Sequence, residues 1–364
     1  MKLAIIGTRG IPNYHGGFEQ FAEFFAVYMS NQGHETYVYN SNLHPYKEKA
    51  FKGVHIIHEG DLEDKIGTAG QFVYDLNCIL DAKKRDFDLI LQLGYTSSSV
   101  WGRLLPKKTT IVTNMDGLEW KRSKYNKQVQ KFLKRAENWA IKTSDFLVSD
   151  SLGIQKHIKE TYQKDSEYIA YGAEVFNSPN ISALKEYGVG EGSYNMLIAR
   201  LEPENNVETI LDGVVLANQS VPFLVIGKYN TKYGTYLKEK YAAEKEIRFL
   251  GGIYNLELLN NLRYFSNIYF HGHSVGGTNP SLLEAMASSC FIVAHDNIFN
   301  RSILGEDALY FEKKEDFPAL LTQTKTANLQ KVSNNINKIK NDFTWELINQ
   351  KYEQYLLKCL KSKS

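Results

Sequence analysis

Cysteine is scarce in this chain of 364 residues: Cys78, Cys290 and Cys359 are scattered, odd in number and without a C-x-x-C pair. That excludes a disulfide framework and a cysteine-held metal site, and it fits a reducing compartment. Excess charge is missing too. Lys and Arg number 43 against 41 Asp and Glu, a formal net charge of +2, which argues against a nucleic-acid partner. No stretch approaches the ~18 consecutive apolar residues of a membrane-spanning helix. The N-terminal apolar run, Leu3 to Ile6, is too short for a signal peptide. Repeats and low-complexity tracts are absent. A cytoplasmic globular protein is expected, and its length predicts two domains rather than one core.

Short β-rich apolar runs alternate with amphipathic stretches, the pattern of parallel sheets covered by crossover helices. Strands are expected near 2–6, 35–40, 54–57, 88–92, 109–113, 145–149 and 167–170, with helices around 17–31, 68–84 and 126–143. The pattern then restarts, with strands near 194–198, 222–226, 247–250, 267–271 and 291–294 and helices near 205–217, 232–243, 255–264 and 279–288. The fold class is therefore α/β, two Rossmann-like domains whose strand ends would face a central cleft. The expected division is 1–172 for the first domain and 190–342 for the second. A Gly-, Asn-, Ser- and Pro-rich linker at 173–189 would join them. A last helix near 343–361 carries Trp345, Ile348, Tyr352, Tyr355 and Leu356 at helical spacing.

The most telling stretch runs from His271 to Ser288. An apolar run (Ile268, Tyr269, Phe270) passes through Gly276-Gly277-Thr278 into a helix with a strong start signal, Asn279 at the N-cap and Pro280 at the first position. The amides at 279–281 and the positive end of the helix dipole would form a crevice for phosphate. Glu284, one turn on, can accept hydrogen bonds from hydroxyls of the same ligand, and a diphosphate beside hydroxyls describes a nucleotide sugar.

This stretch resembles the donor-site motif of family 4 glycosyltransferases, retaining enzymes of the GT-B fold, and most of all the bacterial polysaccharide subgroup containing rhamnosyltransferases. Ile6-Gly7-Thr8-Arg9-Gly10-Ile11-Pro12 with Gly16-Gly17-Phe18-Glu19, Asn114 to Arg122, and Ala199 to Asn206 are similar to the same subgroup. The resemblance spans nearly the whole chain. It implies an N-terminal acceptor domain, a C-terminal donor domain and a final helix crossing back onto the first. It also implies transfer of a sugar, rhamnose as the first guess, from a nucleoside diphosphate to a saccharide or a polyprenyl-diphosphate-linked saccharide, in cell-surface polysaccharide synthesis. Two positions depart from the family pattern: Asn205 stands where a lysine is usual, and Gly276 where the earlier of two glutamates is usual. A GT-B sugar-nucleotide epimerase and a non-catalytic sugar-nucleotide-binding partner are the alternatives.

Candidate residues follow, each with a plainer reading beside it. Arg200 would bind the donor diphosphate with paired N–H donors, or pair with Glu202 or Glu204 at the surface. Lys228, at the next strand end, would supply the cation that Asn205 does not. Glu284 would contact the ribose, or merely favour the helix dipole. Gly277, Thr278, Asn279, Pro280 and Ser281 would hold sugar and phosphate. Gly16 and Gly17 would bring backbone close to the donor, or only make a tight turn. Asp116 would position substrate or act as base, or close an Asx turn before Gly117. Arg9, His15 and Glu119 are assigned to the acceptor side.

His271 and His273, two apart on a strand, are a conceivable metal pair without a third ligand. The preferred reading places His273 at the sugar, with no metal and no cofactor. Residues 119–142 carry eight Lys or Arg (Lys121, Arg122, Lys124, Lys127, Lys131, Lys134, Arg135, Lys142) against Glu119 and Glu137, a local charge of +6. The stretch is a core-packed helix with a solvated basic face, or a site for an anionic membrane surface, which would make the protein peripheral on the inner leaflet.

Overall fold

A computed structural model describes residues 1–363 apart from 15, 116, 123 and 124. The chain divides into two compact units: Met1–Lys121, Tyr125–Tyr171 and Trp345–Ser364 form the first, and Gly172–Thr344 together with Arg122 the second.

The first unit is an eight-stranded sheet. Its strands are β1 (Lys2–Ile6), β2 (Glu35–Ser41), β3 (Ala50–Phe51), β4 (Val54–Glu59), β5 (Leu89–Leu93), β6 (Thr110–Asn114), β7 (Phe146–Ser149) and β8 (Glu167–Tyr168), in the order β3-β4-β2-β1-β5-β6-β7-β8. β3 runs antiparallel to β4, and the other ladders are parallel. Central strands of such a sheet are covered on both faces and read as unbroken apolar runs. Leu3, Ala4, Ile5 and Ile6 on β1 are accordingly buried, as is all of β5. Between the strands lie α1 (Gly17–Asn31), α2 (Glu63–Ile66), α3 (Gly70–Ala82), α4 (Lys127–Thr143) and α5 (Leu152–Tyr162).

The second unit has six parallel strands: β9 (Asn195–Ile198), β10 (Phe223–Ile226), β11 (Ile247–Gly251), β12 (Ile268–His271), β13 (Ile292–His295) and β14 (Leu309–Phe311), in the order β11-β10-β9-β12-β13-β14. Its helices are α6 (Val207–Ala217), α7 (Lys232–Lys240), α8 (Leu256–Tyr264), α9 (Pro280–Ala287), α10 (Ile298–Leu304), α11 (Phe317–Leu320) and α12 (Leu329–Asp342). Residues 173–189 belong to this unit and contain a 3-10 turn, Ile181–Tyr187, capped by the Asn180 side chain.

The sequence pattern missed β3, β14, α2, α5, α10, α11 and α12. The two strands are only two and three residues long. α12 is rich in Asn and Lys and buries little more than Val332, Asn335 and Ile339, so its apolar stripe is narrow. No helix among the described residues is long and apolar enough to cross a membrane.

The last helix, α13 (Trp345–Lys363), belongs to the first unit. It lies along α1, where Phe24 stacks on Trp345 at 4.5 Å and the Phe21 ring sits 4.6 Å from Tyr352. Tyr28 donates to Glu353 at 2.8 Å, and Asn114 at the end of β6 donates to the Tyr352 hydroxyl at 2.9 Å. Tyr352 thus joins α1, α13 and the sheet. Tyr352→Ala should cost about 3–5 kcal/mol through the cavity left behind, and Tyr352→Phe about 1 kcal/mol for the hydrogen bond. Urea unfolding of both variants checks the order.

Candidate active site

In a parallel sheet, loops that leave the carboxyl ends of adjacent strands emerge side by side. β10, β9 and β12 are neighbours, and the residues just beyond their ends are Lys228, Arg200 and His273. Arg200 is exposed, and among the described residues its guanidinium makes no hydrogen bond or ion pair. Neither Glu202 nor Glu204 takes it. The buried Glu204 carboxylate instead lies 3.9 Å from Arg122. Lys228 is likewise exposed, its ammonium 5.2 Å from the Tyr254 ring.

The two loops flanking Arg200 and His273 are tied together. Asn205, which replaces the expected lysine, is buried and donates to the Arg200 carbonyl at 2.7 Å. It therefore shapes the backbone beneath Arg200 and offers no charge. Asn206 donates to the Gly272 carbonyl at 2.8 Å, and Ser274 donates to the Glu204 carbonyl from both its amide and its hydroxyl. A Cβ on Gly272 would sit 2.1 Å from the Asn205 carbonyl oxygen, so only glycine permits this approach. From the other side, Asn297 and Asn300 of the α10 start donate to the His273 carbonyl at 3.1 and 3.0 Å.

His271 and His273 stack at 4.5 Å. Both His271 nitrogens and Nδ1 of His273 are buried without a hydrogen-bond partner. Burial, and then the charge of His273 and Arg263, push His271 well below the usual imidazole range. Burial, Arg200 and Arg122 push His273 down to about 3. Both rings are therefore neutral at physiological pH. Among the described residues no group of three His, Cys, Asp or Glu side chains converges on a point.

Beyond His273 the chain turns through Gly276, whose φ of +135° favours glycine and around which a Cβ would meet nothing within 4 Å. Asn279 caps α9, its side chain accepting from the Ser281 amide at 2.9 Å, with Pro280 next. The cap narrows the expected anion cradle. Pro280 has no N–H and Ser281's is already used, which leaves the amides of Gly277 and Asn279 without a partner among the described residues, beside the buried Thr278. Glu284, one turn in, lies 2.6 Å from the fully buried Arg263 of α8, which also donates to Ser281 Oγ at 3.2 Å.

In the first unit, Gly16 precedes α1 in extended conformation with no side-chain cap, and its own amide donates to Asn13 Oδ1 at 3.2 Å. The guanidinium of Arg9, expected on the acceptor side, is bound bidentately by Glu63 at 2.8 and 3.0 Å, and its amide donates to Glu19, which fixes the loop after β1. Glu119 lies in a single 3-10 turn, Glu119–Lys121. His15 and Asp116 lie outside the described residues.

Two buried charged groups escaped the sequence pattern. Arg263 belongs to no motif of the sequence. Glu137 looked like one acid in a basic run, although it shares the apolar face of α4 with Leu133, Ala136 and Ala140. It is buried and accepts from Trp120 Nε1 at 3.0 Å and the Tyr162 hydroxyl at 2.6 Å, with His157 at 3.0 Å. Burial raises its pKa, but His157, Tyr162 and Trp120 outweigh that and hold it below the usual range. Through Trp120, and through Tyr95, whose hydroxyl reaches both Glu137 and the Gly117 carbonyl, it anchors the segment after β6. An acid on an apolar helix face was the signal that could have revealed it.

Residues 1–174 match a family described as a domain of unknown function (DUF1972), and residues 190–342 match the family described as glycosyl transferases group 1. No curated protein matches the chain. Among solved structures, sucrose-phosphate synthase from Thermosynechococcus elongatus superposes with a TM-score of 0.80 at 13% identity, covering 100% of both chains. HepE of Anabaena, in complex with UDP and glucose, superposes at 0.74 with 16% identity over 98% of this chain and 99% of that one. The UDP-forming α,α-trehalose-phosphate synthase of Burkholderia vietnamiensis superposes at 0.72 with 13% identity over 100% and 98%. These likenesses assign the GT-B fold.

The depressed histidines give a pH signature. The folded chain holds both rings neutral, so the unfolded chain binds more protons from about pH 6.5 down to about 3, and stability falls as pH drops through that window. Removing the Arg200 charge with Arg200→Gln should move the His273 titration upward. Histidine-selective NMR reads the shift directly.

Proposed function

We propose that this chain, a GT-B protein with a group 1 glycosyltransferase domain at residues 190–342, moves a sugar from a nucleoside diphosphate donor to a saccharide hydroxyl with retention at the anomeric carbon. The observation that carries the reading is Arg200. It is an exposed guanidinium with no protein partner among the described residues, held by its backbone at a strand end next to a neutral histidine. HepE in complex with UDP and glucose, and a synthase described as UDP-forming, support a nucleotide-sugar donor.

In the reaction, the bond from the anomeric carbon to the diphosphate breaks and the bond to the acceptor oxygen forms on the same face. The departing phosphate oxygen takes the acceptor's proton. Arg200, Lys228 and the amides of Gly277 and Asn279, with Thr278 between them, meet the charge that grows on the diphosphate, a preorganised set of donors that reorients little as charge develops. Glu284 accepts from the ribose, and His273, neutral, offers a hydrogen bond to the sugar without repelling Arg200. Asp116 and Glu119 position the acceptor. With protein cations on the diphosphate, no metal takes part in the step.

The best candidate sugar is rhamnose on thymidine diphosphate, on the subgroup resemblance. The best acceptor is a lipid-linked saccharide, which α4 favours. Lys127, Lys131, Lys134, Arg135 and Lys142 are exposed on that helix with no acidic partner among the described residues, and Trp139 is 38% exposed beside them. Each basic residue near an anionic leaflet contributes about 1 kcal/mol, and an exposed indole suits the interface.

Three outcomes check this. Arg200→Ala should lower donor turnover by on the order of 100- to 1000-fold; nucleoside diphosphate release from a nucleotide-sugar panel measures it, and a loss below about threefold removes the diphosphate role. A chelator should leave that rate unchanged. Co-sedimentation should occur with anionic vesicles and fall when Lys131, Lys134 and Arg135 are changed to Glu, whereas equal binding to neutral vesicles would sink the membrane reading.

A further inference from the structure

We infer that Arg263 is a positioning residue for the donor and acts through Glu284; this rests on the reading of Glu284 as the ribose-facing carboxylate. Arg263 lies at the end of α8 and is 1% exposed, heading the largest fully buried side chains of the chain. Its Nη2 sits 2.6 Å from Glu284 Oε2 and donates to Ser281 Oγ at 3.2 Å, while Nη1 donates to Asn260 Oδ1 at 3.0 Å. Nε is buried without a partner. Ser281 Oγ is also 2.8 Å from the Tyr269 hydroxyl, and the Ser281 amide is held by the Asn279 cap.

A guanidinium buried this deeply is an expensive way to fill space, since apolar residues of similar volume often replace a buried ion pair with no loss of stability. Packing alone therefore leaves the charge unexplained. What the planar fork can do, and an apolar chain cannot, is fix a carboxylate and a hydroxyl in one plane. Asn260 sets the guanidinium, the guanidinium sets Glu284, and Ser281 ties both to the capped start of α9. Glu284 is then held in one rotamer, where a swinging side chain would lose orientation at each binding event.

Isothermal titration with UDP and with 2′,3′-dideoxyuridine diphosphate tests the chain of contacts in the intact protein. Glu284→Gln should weaken UDP about tenfold, the worth of one charge-assisted hydrogen bond. Arg263→Met should match it, and the double variant should be no weaker than Glu284→Gln alone, because both act through one carboxylate. Arg263→Lys should fall between, and it decides the matter if Arg263→Met does not fold. The dideoxy ligand, which lacks the hydroxyls, should bind all variants that fold alike. Wild-type UDP affinity in Arg263→Lys and Arg263→Met would overturn the inference, as would equal losses for both ligands, the mark of a merely structural role. If Glu284→Gln binds UDP as the wild type does, the ribose reading of Glu284 falls first and this inference with it.

Discussion

The crosslink between the loops leaving β9 and β12 is the contact on which the candidate site depends. Strand ends in a parallel sheet are fixed, but the residues just past them are not, unless something beyond the ladder holds them. Here Asn205, Asn206 and Ser274 do so, each spanning to a neighbouring backbone carbonyl, and Gly272 allows the two chains to touch. Each such hydrogen bond stabilises the fold by only about 1 kcal/mol net. Together they set where Arg200 and His273 start, and they leave the guanidinium itself uncommitted. The usual surface arginine reaches for a nearby carboxylate; this one has Glu202 and Glu204 within a few residues and pairs with neither.

In each unit the chain tolerates polar burial it could have avoided. In the second, Arg263 sits out of water beneath α9 and His271 is neutral and unpaired; in the first, Glu137 lies beneath the segment after β6. Unsatisfied buried polar atoms cost about 1–3 kcal/mol each, and unpaired charges more. Two of the three carry compensating partners drawn from distant parts of the sequence. Both also lie directly behind segments that present candidate ligand-binding groups, so rigidity at the surface is obtained from polar contacts in the interior.

Much of this was legible without coordinates. The runs that became β1, β5, β9 and β12 are apolar because both faces are covered, a property of the residues themselves. The start of α9 is written in two adjacent residues, Asn279 and Pro280, whose chemistry is local. What could not be read was pairing at a distance. Arg9 looked available because Glu63, its partner, is 54 residues away. Arg263 looked ordinary because its carboxylate belongs to another helix. Asn205 looked like a lost cation until its amide was seen holding the chain of Arg200. α12 stayed hidden for another reason: its composition is polar, and the apolar residues that recur at helical spacing, Leu329, Val332, Ile336 and Ile339, are few.

The inward turn of Glu137 has an electrical result. With its one acid folded away among Trp120, Tyr162 and His157, α4 shows solvent a face of a single sign, while the counterweight sits on the dry side of the helix. Electrolyte reaches only the outer layer, over a screening distance of about 8 Å at physiological ionic strength. Added salt should therefore quench the reach of those lysines for any anion while leaving the inner knot, and the segment it moors, untouched. Surface charge and architecture are carried by opposite sides of the same seventeen residues, and a change of ionic conditions addresses one without the other.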